Sequence, residues 1–210
     1  DEHTSRGLGD VYKRQVNAIS NQLKISSVVI TFDPHPRNLI GNPKEKVKLL
    51  MSLEKKIELI KSMSIDYLVI LKFNTNLMNM DAEEFLSKIL IKNFNPKCIV
   101  SGLNHTFGHN KSGDIKYLNK FCKKNDIAME VVGPLKDGEM IISSTNIRNL
   151  IENGFIRRAN YELGSMYGFY SKVVSGSGRG KKLNYPTANL RPVDKDQLLP
   201  KIGVYFTRCI

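Results

Sequence analysis

Apolar residues first recur with helical spacing at Val16, Ile19 and Leu23, and a largely β-branched run over residues 27–32, Ser-Val-Val-Ile-Thr-Phe, then stops at Asp33-Pro34-His35-Pro36. The spacing predicts a helix and the run a buried strand: a period near 3.6 lines one helix face, whereas a short β-branched run bounded by prolines suits a covered strand. Residues 1–15 hold two glycines and mixed charges with neither period sustained, and read as a disordered or foreign leader. After residue 32 the alternation repeats. Ser52 is placed to cap a helix with Leu53, Ile57 and Ile60 on one face, followed by a strand over 67–71. Asp81, with Glu83 and Glu84 in the first turn, opens a helix bearing Phe85, Leu86, Ile89 and Leu90, followed by a strand over 97–100. A further helix from Ile115 to Lys124 leads to a strand over 127–132. This order predicts an α/β fold with a parallel sheet and helices on both faces, in which ligands bind beyond the carboxyl ends of the strands. Residues 33–37, 72–74 and 102–108 fall there.

After Gly154 the texture changes. Residues 167–174 are β-rich, Gly176-Ser-Gly-Arg-Gly180 reads as a flexible basic loop, and 203–209 as a strand running off the chain end. No helix of ten or more residues is expected after about Leu163. The pattern divides the chain into a leader (1–15), an α/β domain (16–155) and a β-type domain that reads as cut short (156–210).

The 210 residues are 41% hydrophobic and 25% charged, which suits packed domains and excludes a disordered or collagenous chain. Apolar runs such as Val28-Val29-Ile30 fall far below the ~18 residues of a membrane-spanning helix, and the start lacks the features of a signal peptide, so a cytoplasmic protein with no membrane partner is expected. Cys98, Cys122 and Cys209 form no C-x-x-C pair and read as reduced structural thiols. The balance of 32 Lys+Arg against 20 Asp+Glu, net +12, predicts affinity for anions. Lysine is dispersed along the chain, which argues against nucleic acid as the partner.

Ser143-Ser144-Thr145, one turn before Arg148, is a hydroxyl run at a helix start, where free N–H groups, hydroxyls and the helix dipole suit a phosphate and Arg148 could fork onto it; an ordinary N-cap has the same pattern. Gly178, Arg179, Gly180 and Lys181 could wrap phosphates with backbone amides and cations, though the segment is not a Walker A loop and a solvated hairpin loop reads equally well. Thr187 and Asn189 are two residues apart and would share one side of an extended strand, offering two neutral oxygens to a hard cation already carrying phosphate oxygens; a turn before a strand is the plain alternative. His105 and His109 have an i, i+4 spacing, but Gly108 lies between them and no acidic third ligand is near, so a metal pair is not favoured. His35, between Pro34 and Pro36, is rigidly presented at a strand end.

Taken in order, five blocks resemble one family: Thr31-Phe-Asp-Pro-His-Pro-Arg37; Gly102-x-Asn-x-x-Phe-Gly108 with Gly113-Asp114; Ile142-Ser-Ser-Thr-x-Ile-Arg148; Gly178-Arg-Gly-x-x-Leu-x-Tyr-Pro-Thr-Ala-Asn-Leu190; and Leu199-Pro-x-x-Gly-Val-Tyr205. Over about residues 16–210 the chain resembles the bacterial bifunctional riboflavin kinase/FMN adenylyltransferases. The resemblance implies a Rossmann-like nucleotidyltransferase domain that makes FAD and pyrophosphate from FMN and ATP, followed by a truncated riboflavin kinase β-barrel that makes FMN from riboflavin and ATP. It also implies roles: Ser143, Ser144, Thr145 and Arg148 hold the ATP phosphates; Phe32, His35, Asn104, Phe107 and Gly108 line the ATP/flavin cleft. In the kinase, Gly178, Arg179, Gly180 and Lys181 cover phosphates and Thr187 and Asn189 help ligate Mg²⁺. The chain departs from the family pattern in three places. The Gly-x-Phe-Asp-Gly-x-His-x-Gly-His turn has no counterpart in residues 1–30, no kinase carboxylate base follows Phe206, and Asn184 stands where glycine is usual. A fragment weakly active or inactive in both reactions is therefore expected. The competing readings are another adenylyltransferase, which would not carry the Pro-Thr-Ala-Asn block, and a basic nucleic-acid-binding protein.

Overall fold

The computed structural model describes residues 8–40, 46–182 and 184–210. Helix α1 spans Leu8–Leu23, so residues 8–15 are helical, which corrects their reading as disordered. Residues 10–15 contain no glycine or proline, and once the periodic part nucleates the helix, propagation carries across them. The rest of the expected leader lies outside the described residues.

Strand β1 (Val28–Asp33) leads through a 3-10 turn at Pro36–Asn38 to α2 (Leu53–Lys61) and β2 (Tyr67–Lys72). β1 and β2 pair in parallel, Val28 opposite Tyr67 and Asp33 opposite Lys72. Next come α3 (Thr75–Asn79) and a longer helix whose first turn, α4 (Ala82–Glu84), passes through a wider π-helical stretch over Phe85–Ile91 into α5 (Lys92–Phe94). β3 (Cys98–Gly102), α6 (Ile115–Lys124) and β4 (Ala128–Val132) repeat the first unit, with Cys98 opposite Ala128 and Gly102 opposite Val132. The helix starts are set by side-chain caps: Ser52 accepts from the Lys55 N–H at 3.3 Å, Asp81 from that of Glu84 at 2.8 Å, and Asp114 from that of Tyr117 at 2.8 Å.

The strands are parallel as expected, but among the described residues they form two separate two-stranded ladders, β1–β2 and β3–β4, instead of one sheet. Side-chain periodicity selects which residues are strands; it does not encode which backbone edge finds a partner.

The small hairpin β5 (Lys136–Asp137) and β6 (Met140–Ile141) precedes α7 (Ser144–Glu152) and α8 (Ile156–Leu163). β7 (Ser171–Val174), the single turn α9 (Arg179–Lys182) and β8 (Asn189–Pro192) follow, with β7 and β8 antiparallel. Two expectations are corrected here. The basic segment is a loop only up to Gly178; its φ of 70° turns the chain into α9, where the Lys182 N–H meets the Gly178 carbonyl at 3.3 Å. Residues 203–209 form no strand, and Ile202, Val204, Phe206 and Ile210 are fully exposed. A β-prone segment pairs only where a neighbouring backbone edge is offered.

Two apolar cores result. Leu86, Leu118, Phe121 and Cys122 pack the π-helical stretch and α6 beneath β3 and β4, with Ile99 and Met129 from the strands. Ile142, Ile147, Ile151 and Ala159 join α7 to α8, and Leu198 inserts into the same cluster from beyond β8. The segment around Leu198 is strapped down by main-chain bonds: Leu49 N–H to the Asp196 carbonyl (2.7 Å), Leu198 N–H to the Leu49 carbonyl (2.8 Å) and Lys201 N–H to the Ile151 carbonyl (3.2 Å). Tyr167 completes the strap, donating to the Leu198 carbonyl at 2.6 Å and accepting from the Gln197 amide at 2.8 Å. Burial pushes the Tyr167 phenol up to about 12, which keeps it protonated as that donor. Tyr167→Phe removes both bonds while the Gln197 amide keeps the Leu49 and Leu198 carbonyls at 3.1 and 3.3 Å, and the unfolding free energy from urea denaturation is expected to fall by about 0.5–1.5 kcal/mol.

Candidate functional site

A cavity of about 400 Å³ opens beyond the carboxyl ends of β3 and β4, lined by residues of 102–105, 132–135 and 141–144. It brings Asn104 together with Ser143 and Ser144, residues separated in sequence but joined where the β3 and β4 loops meet the start of α7. Ser143 caps that helix, its hydroxyl accepting from the Asn146 N–H at 3.2 Å. The capping pattern and the anion-site pattern thus coincide at this residue, because one cap leaves further first-turn N–H groups unpaired within the helix. Thr145 is exposed on the first turn and is not part of the cavity wall. A larger crevice, about 650 Å³, lies between Lys48, Glu152 and residues 191–199, at the end of β8, and shares no lining residue with the first.

One turn along α7, Arg148 is half-buried; its Nε donates to the Lys48 carbonyl at 2.9 Å and one terminal nitrogen to the Ser144 carbonyl at 3.1 Å. At the end of β1, the His35 Nδ1 accepts from the Arg37 N–H at 3.3 Å. Burial first, then the charges of Arg148, Lys56 and Arg37, pulls the His35 imidazole below its ordinary 6.5, so it is neutral at pH 7. Lys56, on α2, lies 3.3 Å from the Thr31 hydroxyl; burial lowers its affinity for its proton and the Asp33 carboxylate partly restores it. Cationic groups from β1's end, α2 and α7 thus converge near His35.

Phe32 and Phe107 belong to one aromatic row. Phe32 meets Phe73 edge-on at 5.8 Å and Phe85 at 6.4 Å, Phe85 meets Phe107 at 6.1 Å, and His105 stacks on Phe107 at 5.7 Å. Burial of its stacked face lowers the His105 pKa. His109 turns away, with Nδ1 3.2 Å from the Met78 carbonyl, so the two histidines do not converge, and no cluster of three metal-ligating side chains occurs among the described residues. Gly108, at φ 74°, has no room for a Cβ, which would meet Ser112 Oγ at 2.6 Å and Ala82 N at 2.7 Å. A Cβ on Gly113 would strike the Phe107 ring at 2.6 Å, and Phe107 and Gly113 exchange both backbone hydrogen bonds (3.0 and 2.9 Å). That two-sided closure explains the spacing of Phe107, Gly108 and Gly113 and presents Asp114 to cap α6.

A second cluster forms around the β7–β8 hairpin. A Cβ on Gly180 would approach Thr187 Oγ1 to 3.0 Å, and one on Gly176 would overlap the Asn189 amide at 2.0 Å. The glycine segment therefore cradles both Thr187 and Asn189.

Lys56 and Phe85 lie beside the candidate site and were left unassigned by the pattern reading, whereas Arg37 and Phe73 fall in the segments 33–37 and 72–74 that it placed at the strand ends. Lys56 carried a signal: it occupies the i+3 position of the stripe formed by Leu53, Ile57 and Ile60, where a charge is out of place.

The FAD synthetase family profile matches residues 12–146, and a riboflavin kinase profile matches residues 163–210. The chain belongs to the FAD synthetase family. Among relatives, a bifunctional riboflavin kinase/FMN adenylyltransferase of Listeria monocytogenes is 32% identical over 195 residues, covering 93% of this chain and 61% of that protein. One of Buchnera aphidicola subsp. Schizaphis graminum is 32% identical over 207 residues, covering 96% and 64%. A crystal structure titled macrolide-efflux protein, from Streptococcus pneumoniae, superposes with a TM-score of 0.81 at 30% identity over 92% of this chain and 62% of that one. This member of the FAD synthetase family spans about 60% of the length of the curated relatives it matches. Among its described residues no helix is long and apolar enough to cross a membrane.

The electrostatics around His35 set a sign. An anion seated beside Arg148 and Lys56 offsets the charges that depress the imidazole, so binding takes up a proton and affinity rises as pH falls toward and below 6.5. Calorimetric titration with pyrophosphate at pH 7.5 and 6.0 is expected to show this gain, and His35→Gln to remove about threefold of it; the difference between the two proteins cancels the ligand's own titration.

Proposed function

We propose that the cavity at the start of α7 and the cationic group around His35 form the site of an FMN adenylyltransferase, and that the cluster at the β7–β8 hairpin belongs to a riboflavin kinase. The observation that carries the first half is that Ser143 and Ser144, at the start of the helix that bears Arg148 one turn on, share a cavity with Asn104. In this reading ATP lies with its base toward residues 102–105 and 132–135 and its phosphates at the N-terminus of α7. A phosphate oxygen of FMN attacks the α-phosphorus, the bond to the bridging oxygen breaks, and pyrophosphate leaves with the negative charge. Ser143, Ser144 and Thr145, with the first-turn N–H groups and Arg148, bind that charge; such transfer is chiefly positioning and neutralisation. The aromatic row of Phe32, Phe85 and Phe107, its rings tilted by 46° and 48° to one another, offers with Asn104 and the turn at Gly108 an apolar wall for the flavin, and His35 stands at its edge.

In the kinase half, the ribityl hydroxyl of riboflavin attacks the γ-phosphorus of ATP and ADP leaves. Gly178, Arg179, Gly180 and Lys181 cover the phosphates. The hydroxyl of Thr187 and the amide oxygen of Asn189, held in the glycine cradle, suit Mg²⁺, which when bound offsets charge on the phosphate oxygens. Binding of ATP and of flavin is the first readout of this reading, and flavin turnover the second.

The two halves separate by mutation. Arg148→Gln is expected to lower ATP affinity about tenfold and to suppress conversion of FMN to FAD, read by chromatography of the flavins. Thr187→Ala leaves that conversion intact and suppresses formation of FMN from riboflavin. A chain that binds neither ATP nor flavin overturns the reading.

A further inference from the structure

Lys56 lies where the pattern of α2 calls for an apolar side chain. Leu53, Lys56, Ile57 and Ile60 are the partly buried positions of this helix, while Glu54, Lys55, Glu58 and Leu59 are exposed. Its neighbour Lys55 behaves as a surface lysine does, pairing with Glu58 at 3.5 Å. Lys56 instead reaches under β1 to the neutral hydroxyl of Thr31, and the ion pairs among the described residues all involve other side chains. Removing an ammonium partly from water without an ion-pair partner is unfavourable, and a repacked apolar residue would serve the stripe better if packing were its only task. The groups that face it are Asp33, which opposes part of its charge, and His35, which also feels Arg148 and Arg37. Two cations, one from α2 and one from α7, thus act on the same point at the carboxyl end of β1.

We propose that Lys56 is an anion-binding residue of this cleft, meeting from α2 a phosphate group that Arg148 meets from α7. The inference rests on the adenylyltransferase reading and adds to it a residue outside all five sequence blocks. The shared chemistry is a phosphate oxygen, and its source is either the polyphosphate of ATP or the phosphate of FMN.

The test titrates the chain with tripolyphosphate by calorimetry and with FMN by fluorescence, at two ionic strengths, for wild type, Lys56→Met, Lys56→Arg, Lys55→Met and Arg148→Gln. Methionine fills the stripe without charge, so Lys56→Met is expected to keep the thermal unfolding midpoint; Lys56→Gln replaces it if it does not fold. Lys56→Met weakens tripolyphosphate, FMN or both about tenfold and flattens the salt dependence of that binding, an effect a packing role would not produce. Lys56→Arg retains most of the affinity and Lys55→Met stays within about twofold. Loss confined to tripolyphosphate identifies the ATP phosphates, and loss confined to FMN the acceptor phosphate. If Arg148→Gln loses anion binding while Lys56→Met binds both ligands as wild type does, the role of Lys56 is overturned and the adenylyltransferase reading stands. If wild type binds neither ligand, both are overturned.

Discussion

The site depends on the burial of two isoleucines on one helix. Ile147 and Ile151, one turn apart on α7, are only 1% and 0% exposed and lock the helix against Ala159 of α8 and Leu198. Burying each contributes about 1.5–3 kcal/mol, and together they fix the rotation of α7 about its axis. Ser144 and Arg148 are offset from that stripe by about 100° per residue and share a face, as the bond from Arg148 to the Ser144 carbonyl shows. With the rotation fixed, the capped end faces the cavity and the Arg148 charge is felt at His35. Without the apolar anchor, the same residues would be a capped surface helix with an arginine on it.

The anchor is not built by the α/β part alone. Leu198 arrives from beyond β8, strapped by its main-chain bond to Leu49, and Lys48, the residue before, gives its carbonyl to Arg148. A short path of covalent and hydrogen bonds therefore links the β-type segment to the arginine that faces the cleft. The boundary drawn near residue 155 from texture falls between two helices, and α8 and the strap pack as part of the same core as α7.

Helices were the legible part of this fold because their information is local. The cap at Ser52 and the helix Ile115–Lys124 follow from residues within a turn or two of each end, and α1 escaped only over residues without a period. Strand residues were also legible, but their partners were not. Among the described residues the segment 203–209 has strand composition and no partner, while β1–β2 and β3–β4 form separate ladders. At the site, Ser143, Asn104 and Arg148 stood out by motif, whereas Phe85 did not, because a phenylalanine at helical spacing reads as core. Its ring bridges Phe32 and Phe107 at the first residue of the π-helical stretch, where the widened turn changes which side chains share a face.

Net charge carries less of the argument than the placement of a few cations. Lys55 and Lys56 contribute equally to the +12, yet one is an exposed partner of Glu58 and the other is half-buried under β1. An exposed charge is screened within about 8–10 Å at ordinary salt, so a dispersed excess of lysine attracts anions weakly and without selectivity. A charge held in partly dry surroundings interacts more strongly at short range, at the cost of its own hydration. Lys56 and Arg148 both bear that cost, since burial depresses the proton affinity of each, and both bear on His35. Such an arrangement is unfavourable while the cleft is empty and becomes favourable when a phosphate enters, which is the property a site for polyphosphate requires.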